Sequence, residues 1–152
     1  MKPKRLRVLV VDDEDDIRLI VGLNLGLLGM EFGEAVDGAE ALEMLRAGDW
    51  DGCVLDLAMP KVDGYTVLKE LAKDDVLGDL AVVVLSARGS PTTAIQAMKL
   101  GAHAHLTKPF SPAAVARTLL ELLSMPAEER QQRRKDLIER ASQLERLGMP
   151  TV

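Results

Sequence analysis

The chain has 152 residues, 47% of them hydrophobic and 28% charged, a composition typical of one globular domain and not of a disordered segment. Its formal net charge of -5 argues against the basic surface that nucleic-acid binding needs, so we predict no direct contact between this chain and nucleic acid. A single cysteine, Cys53, excludes an internal disulfide framework and agrees with a reducing compartment.

The amino-terminal region has no pattern for export or membrane insertion. Its basic start is followed by an apolar run that ends at Asp12, well short of the roughly 7–15 apolar residues of a secretory signal. The longest apolar-rich stretch, Leu19 to Met30, is interrupted by glycines and an asparagine and is too short to cross a bilayer. We therefore predict a cytoplasmic protein without membrane contact.

Strand and helix patterns alternate along most of the chain. Short β-branched or apolar runs predict strands, and apolar residues at helical spacing predict the helices between them. The predicted strands are Leu6–Val11, Met30–Val36, Asp51–Asp56, Leu80–Leu85 and His103–Leu106. The predicted helices are Ile17–Leu28, Ala39–Leu45, Tyr65–Ala72, Thr93–Leu100 and Pro112–Leu123. The alternation predicts an α/β fold, a doubly wound five-stranded parallel sheet with helices on both faces.

The segment from Pro126 onward is strongly charged and favours a helix. Glu129 and Arg133 are spaced for an i,i+4 ion pair, and the apolar stripe covers barely two heptads. Such a helix either dimerises or begins a linker, which we favour, or it folds back on its own domain. We divide the chain into a domain of residues 1–124 and a helical extension or linker of residues 125–152.

Polar residues stand where the predicted strands end. They are Asp12 and Asp13 after strand one, Asp56 after strand three, Ser86 after strand four and Lys108 after strand five. Because the carboxyl ends of parallel strands share one edge, where ligands bind in such sheets, we expect these residues to meet. Carboxylates brought together need a cation such as Mg²⁺, and an Asp carboxylate can attack phosphorus.

The acidic run continues beyond this predicted site. We interpret Asp15 and Asp16 as first-turn acids of the first helix, with Asp15 as its N-cap. Glu14 is interpreted as a solvated residue that joins the two groups.

Four segments, VVDDEDD, VLDLAMPKVDGYTVLKEL, VVVLSARGS and GAHAHLTKPF, resemble in order and spacing the receiver domain of two-component response regulators. The resemblance extends from Leu6 to Leu123. It implies a flavodoxin-like sheet of strand order 2-1-3-4-5 with five helices, to which the C-terminal helical extension is added. It also implies Mg²⁺-dependent phosphorylation by a sensor histidine kinase or phosphotransfer protein, which switches the binding of an output partner that the sequence does not identify.

The resemblance assigns roles to individual residues. Asp56 would be the phosphoacceptor, and Ser86 and Lys108 would contact the phosphoryl group. The implied Mg²⁺ site consists of Asp12, Asp13, Asp56 and the carbonyl of Ala58. The backbone amides implied to hold phosphoryl oxygens are those of Leu57, Ala58 and Ala87. The bond between Lys108 and Pro109 is expected to be cis.

Position 105 departs from the family pattern, which has Tyr or Phe where this chain has His105. We consider two interpretations: a switch residue that works with Ser86, softer or pH-dependent, or a surface residue without that role. His103 is interpreted as strand surface. Ala58 and Arg88 flank the predicted site, and we expect substitution of either to alter the phosphoryl lifetime.

Two other functions compete with the phosphorylated switch. A hydrolase that forms an aspartyl phosphate typically carries a second carboxylate two residues after the nucleophile, but here that residue is Ala58. A receiver-fold interaction module that works without phosphorylation stays open because of His105. We interpret the chain as a switch that assists its own phosphotransfer and dephosphorylation, and not as an enzyme acting on another substrate.

The output of the switch is less defined. After Ser124 the chain is too short for an effector domain, so it is either a single-domain regulator or a chain truncated before its effector. A homodimer through the helical extension, or through the face of the fourth helix, fifth strand and fifth helix, is one possible assembly.

Overall fold

The computed structural model describes residues 4–87 and 91–149, and for residues 91–93 it describes only the backbone. Its strands are β1 (Arg7–Val11), β2 (Glu31–Ala35), β3 (Gly52–Asp56), β4 (Ala81–Ser86) and β5 (Ala104–Thr107). Its helices are α1 (Asp15–Leu27), α2 (Gly38–Ala47), α3 (Gly64–Lys73), α4 (Pro91–Lys99), α5 (Pro112–Leu123) and α6 (Ala127–Arg146). The strands form one parallel sheet in the order β2-β1-β3-β4-β5, which confirms the predicted fold.

Alternating side chains of the central strands feed two apolar cores, one on each face of the sheet. Leu9 and Leu55 pack with α2, α3 and α4, whereas Val10 and Val54 pack on the other face with α1 and α5. Both sets are fully buried, so the central strands are apolar on both sides, as parallel strands covered by helices must be. This packing fixes the strand ends that carry the polar residues.

Helix α1 begins at Asp15, one residue earlier than an Asp15 N-cap would require. The N-cap is Glu14, whose side chain makes no capping hydrogen bond, and Asp15 and Asp16 lie in the first turn. The N-cap prediction for Asp15 is therefore wrong by one position, although both aspartates lie where the helix dipole stabilises negative charge.

Strand β5 begins one residue later than predicted, so that His103 precedes the strand. Its side chain is only 5% exposed, so the interpretation of His103 as strand surface is wrong. The ring Nδ1 accepts a hydrogen bond from the Val82 amide at 3.1 Å. Burial, with the nearby charges of Arg134 and Arg130, lowers the pKa of His103 to about 4.

The first turns of α6 pack against the amino-terminal end of the sheet. Arg130, 6% exposed, donates hydrogen bonds to the carbonyls of Leu122, Met125 and Asp79 at 3.2, 3.0 and 2.7 Å. Arg134 donates to the carbonyl of Met98 at the end of α4, at 2.7 Å. The first turns of the helix thus fold back on their own domain, the arrangement that the sequence analysis favoured less than a dimerising or linker helix.

Among the helices that the structure describes, none has an apolar stretch long enough to cross a bilayer.

Candidate functional site

The predicted site residues do meet at the carboxyl edge of the sheet. Asp56 is the last residue of β3 and is in register with Leu85 of β4, and Ser86 at the end of β4 is in register with Thr107 of β5. The side chains of Asp12, Asp56 and Ser86 are buried, with residue exposures of 0%, 1% and 3%. Since water does not surround these polar groups, the charges of the two carboxylates must be balanced from within the site.

Three carboxylates crowd together at this edge. Asp12, Asp13 and Asp56 each place an oxygen within 4.8 Å of the others. Asp12 Oδ1 accepts the Glu14 amide at 2.9 Å, but Asp12 Oδ2 has no hydrogen-bond partner among the described residues. Burial raises the pKa of Asp12 to about 6, with further increases from Asp56 and Asp13, against the opposing effects of the Glu14 amide and Lys108.

Lys108 supplies one positive charge to this cluster. Its Nζ lies 3.1 Å from Asp56 Oδ2 and 3.8 Å from Asp12 Oδ2. Burial alone would lower the pKa of Lys108, but the hydrogen bond to Asp56 and the charges of Asp12 and Asp56 outweigh it and raise that pKa. One ammonium cannot balance three ionised carboxylates, so the cluster has the excess charge and the unpaired oxygen that a hard divalent cation would satisfy.

The loop after β3 holds Asp56 in position. The Ala58 amide donates to Asp56 Oδ1 at 3.0 Å, and a Cβ added to Gly64 would lie 2.6 Å from the Asp56 carbonyl oxygen. Only a glycine at position 64 lets the start of α3 approach the strand so closely. The Leu57 amide donates to the Leu85 carbonyl at 2.9 Å, and its role as a phosphoryl contact stays a prediction.

Ser86 has a partner that the family pattern does not provide. Its Oγ lies 2.5 Å from Nε2 of His105, whose half-buried ring has its pKa lowered by burial. The structure therefore places His105 against the site hydroxyl, and this contact favours the switch interpretation over the surface one.

Arg18 is a site residue that the sequence analysis missed. It is 6% exposed, its Nη1 donates to the Asp12 carbonyl at 2.7 Å, and its guanidinium also pairs with Asp15 and Glu34. These contacts fix the backbone that follows β1. The available signal was a lone arginine, three residues after an aspartate, in a helix with no other charge beyond its acidic first turn.

The remaining predicted positions surround this centre. Ala58 and Ala87 are exposed at its rim, and the Lys108–Pro109 bond is cis as predicted. Arg88, predicted to affect the phosphoryl lifetime, lies outside the described residues.

The fold and the site define a doubly wound parallel-sheet protein with a carboxylate cluster and a lysine at its carboxyl edge. The family model for the response regulator receiver domain matches residues 8–120, and the chain belongs to that family. Its members are signalling switches.

Known proteins of this family resemble the chain over most of its length. It is 38% identical to a probable transcriptional regulator, ycf27, of Cyanophora paradoxa, over 81% of this chain and 50% of that protein. It is also 38% identical to the DNA-binding dual master transcriptional regulator RpaA of a Synechocystis species, over 68% and 43% respectively. A solved Francisella response regulator receiver domain matches with a TM-score of 0.73 and 32% identity, covering 79% of this chain and 98% of that one. The chain thus spans half or less of the length of these two curated relatives.

Proposed function

We propose that Asp56 accepts a phosphoryl group from a phosphohistidine of a sensor histidine kinase or phosphotransfer protein, in a Mg²⁺-dependent reaction. The observation that carries this proposal is the charge imbalance around Asp56. A buried carboxylate touches one ammonium, and the neighbouring Asp12 keeps an oxygen without a hydrogen-bond partner. Burying unbalanced negative charge of this kind destabilises the fold unless a bound cation neutralises it.

The chain's own groups account for most of the chemistry. An Asp56 oxygen forms the bond to phosphorus as the phosphorus–nitrogen bond of the donor breaks, and the imidazole leaves with its bonding electrons. Lys108 pairs with an equatorial phosphoryl oxygen, and the Ala58 and Ala87 amides and the Ser86 hydroxyl donate to the others. Asp12, Asp13, Asp56 and the Ala58 carbonyl would hold Mg²⁺, which supplies further neutralisation of the transferring group. The same groups would orient water for dephosphorylation.

His105 would control the availability of the Ser86 hydroxyl. A neutral ring with an unprotonated Nε2 accepts the Ser86 hydrogen, whereas a phosphoryl oxygen on Asp56 needs that same hydrogen. The two interactions compete, because one hydroxyl has a single hydrogen to donate. Phosphorylation would thus separate Ser86 from His105, and the shift of His105 at β5 would change the face formed by α4, β5 and α5.

We assign this switch to residues 1–124 and treat residues 125–152 as its extension. The curated relatives are named as transcriptional regulators, so we propose that the output concerns transcription. Contact with DNA would lie with a partner or another segment, since the net charge of -5 gives this chain no basic footprint.

The test is labelling of the full chain by a small phosphodonor with and without Mg²⁺. We expect stable labelling of wild type only with Mg²⁺ and none in Asp56→Asn, which keeps the shape of the side chain without its charge. Asp37→Asn, at the N-cap of α2, is the matched control and should label like wild type. Equal labelling of wild type and Asp56→Asn would overturn the proposal, and no labelling of any form would favour the phosphorylation-independent interaction module.

A further inference from the structure

The peptide unit between Asp12 and Asp13 joins two of the proposed Mg²⁺ ligands, and three hydrogen bonds hold the chain around it. The Asp12 amide donates to the Ala35 carbonyl of β2 at 3.2 Å, and the Glu14 amide donates to Asp12 Oδ1 at 2.9 Å. The third bond reaches the Asp12 carbonyl, which accepts from Nη1 of Arg18 at 2.7 Å. Of these three donors only Arg18 is a side chain, so it is the one that a substitution can remove.

Asp13 depends on this peptide unit for its position. Asp13 is exposed, so core packing does not hold its side chain as it holds those of Asp12 and Asp56. Its carboxylate nevertheless lies close to theirs, with an oxygen of each within 4.8 Å of the others. Because the peptide unit is planar, the direction of the Asp12 carbonyl and the positions of the Asp13 amide and Cα are linked. A fixed Asp12 carbonyl therefore fixes the backbone from which the Asp13 carboxylate projects.

The Arg18 guanidinium is itself held in place. Its side chain is 7% exposed and has partners on three parts of the fold: the Asp12 carbonyl after β1, Asp15 in α1, and Glu34 of β2, whose Oε1 lies 3.2 Å from Nε. A guanidinium presents its N–H donors in one rigid plane, so the two carboxylates that bind its other nitrogens also orient Nη1. The bond to the Asp12 carbonyl is thus preorganised by α1 and β2.

The charge of Arg18 and its hydrogen bond act on a bound cation in opposite directions. A guanidinium beside Asp12 repels Mg²⁺, so its charge alone would weaken metal binding. The ion pairs with Asp15 and Glu34 offset part of that charge. The hydrogen bond, in contrast, favours metal binding if it holds the ligands in place. Removal of Arg18 therefore changes the Mg²⁺ affinity with a sign that shows which effect is larger.

We propose that Arg18 is a positioning residue of the Mg²⁺ site, and that its bond to the Asp12 carbonyl orients Asp12 and Asp13 for the metal. This inference rests on the Mg²⁺ site of the proposed function, but not on the transfer of a phosphoryl group. Removal of a group that holds metal ligands without touching the metal typically costs about 10–100-fold in metal affinity. We expect the lower part of that range, because the bonds from Asp12 to Ala35 and Glu14 remain.

A Mg²⁺ titration of the unphosphorylated full chain, followed by the NMR amide signals of residues 12–14 and 56–58, tests this proposal. Arg18→Met removes both the donor and the charge and should raise the Mg²⁺ dissociation constant about tenfold. Arg18→Lys keeps the charge without the planar set of donors and should raise that constant by less. Arg130→Met is the matched control, since both arginines are 6% exposed but Arg130 binds carbonyls at the other end of the sheet. It should bind Mg²⁺ like wild type.

Several results would overturn the proposal. One is an Arg18→Met variant that binds Mg²⁺ as tightly as wild type or more tightly, and another is an equal loss of affinity in Arg130→Met, which would trace the effect to general destabilisation. The same spectra show whether each variant is folded. If Arg18→Met is unfolded, wild-type affinity in Arg18→Lys overturns the proposal. A wild type that binds no Mg²⁺ would overturn the proposed function as well, whereas one that binds Mg²⁺ but is not phosphorylated would overturn the proposed function alone.

Discussion

The two ends of the sheet bury charge in opposite ways. At the amino end the Arg130 guanidinium donates to three backbone carbonyls, so its charge is matched by the chain itself although its Nε has no acceptor among the described residues. At the carboxyl end Asp12 and Asp56 are more deeply buried, yet they share one ammonium, from Lys108. A buried cation matched by backbone carbonyls is typical of structural support. Buried carboxylates with too little positive charge are typical of a cation-binding site.

The largest expected effect concerns the amino end. Arg130→Ala should lower the free energy of unfolding by about 2–3 kcal/mol, because it removes three hydrogen bonds from a charged donor and detaches the start of α6. Urea denaturation measures this loss. Arg133→Ala, which removes a 51% exposed side chain paired with Glu121, should change stability by at most about 0.5 kcal/mol. Similar losses in the two variants would contradict a structural role for Arg130.

At the carboxyl end, removal of a charged group should raise the free energy of unfolding instead of lowering it. Asp12→Asn should raise the free energy of unfolding without Mg²⁺ by about 1–3 kcal/mol, since an amide keeps the bond from the Glu14 amide and carries no buried charge. Thermal unfolding should show that Mg²⁺ stabilises wild type and not the variant. Asp63→Asn, at the N-cap of α3, is the control. A destabilised Asp12→Asn without Mg²⁺ would contradict the charge imbalance.

The two ends should also respond oppositely to pH. The ring of His103 has a pKa of about 4, below the ordinary 6.5, so the unfolded chain binds the proton first and stability falls as pH drops from 6.5 towards 4. The pKa of Asp12 is raised from 3.8 to about 6, so the folded chain binds this proton first. The contribution of Asp12 to stability therefore rises as pH drops through 6 towards 3.8.

Denaturant titrations between about pH 7 and pH 4 measure how the free energy of unfolding changes with pH and separate the two contributions. His103→Gln should be more stable than wild type by about 1–2 kcal/mol near pH 5, relative to their difference at pH 7. Asp12→Asn should lose the opposite slope. A His103→Gln variant whose pH profile matches that of wild type would show that His103 titrates normally.

The smallest effect concerns the Ser86 hydroxyl at the carboxyl end. His105→Phe should change the lifetime of the phosphorylated form a few-fold and remove its pH dependence on the acid side of neutrality, where a ring with a lowered pKa titrates, because Ser86 then has no titrating partner. The rate of phosphate loss over a pH series measures this. His105→Gln, which keeps a hydrogen-bonding group that does not titrate, should also lose the pH dependence. A His105→Phe variant with the wild-type pH profile would remove His105 from the switch.

The fold and the centre of the site were predictable from local patterns. Alternation of apolar runs determines the parallel sheet, and once the sheet is parallel its strand ends must meet, which brings Asp12, Asp56, Ser86 and Lys108 together. The predicted limits of strands differ from the observed ones by one residue, as at β5. The end of a strand depends on backbone pairing and not on the side-chain pattern alone.

Features that depend on distant packing were not predictable in this way. His103 looked like strand surface because its neighbours gave no sign that Arg130 and Arg134 would lie near it. Arg130 and Arg134 themselves looked like charges of a solvated helix, although each bonds to the end of another helix. Likewise, the hydrogen bond from the Leu57 amide to the Leu85 carbonyl depends on which residues of β3 and β4 pair, which the pattern of one strand alone does not reveal.

The most direct test of the central claim is to identify the modified residue. The full chain is phosphorylated by a small phosphodonor with Mg²⁺, the acyl phosphate is reduced with borohydride, and the resulting homoserine is located by peptide mass spectrometry. We predict homoserine at position 56 in the presence of Mg²⁺ and none after chelation. Homoserine at position 12 or 13, or equal modification without Mg²⁺, would contradict the assignment of Asp56 as the metal-dependent phosphoacceptor.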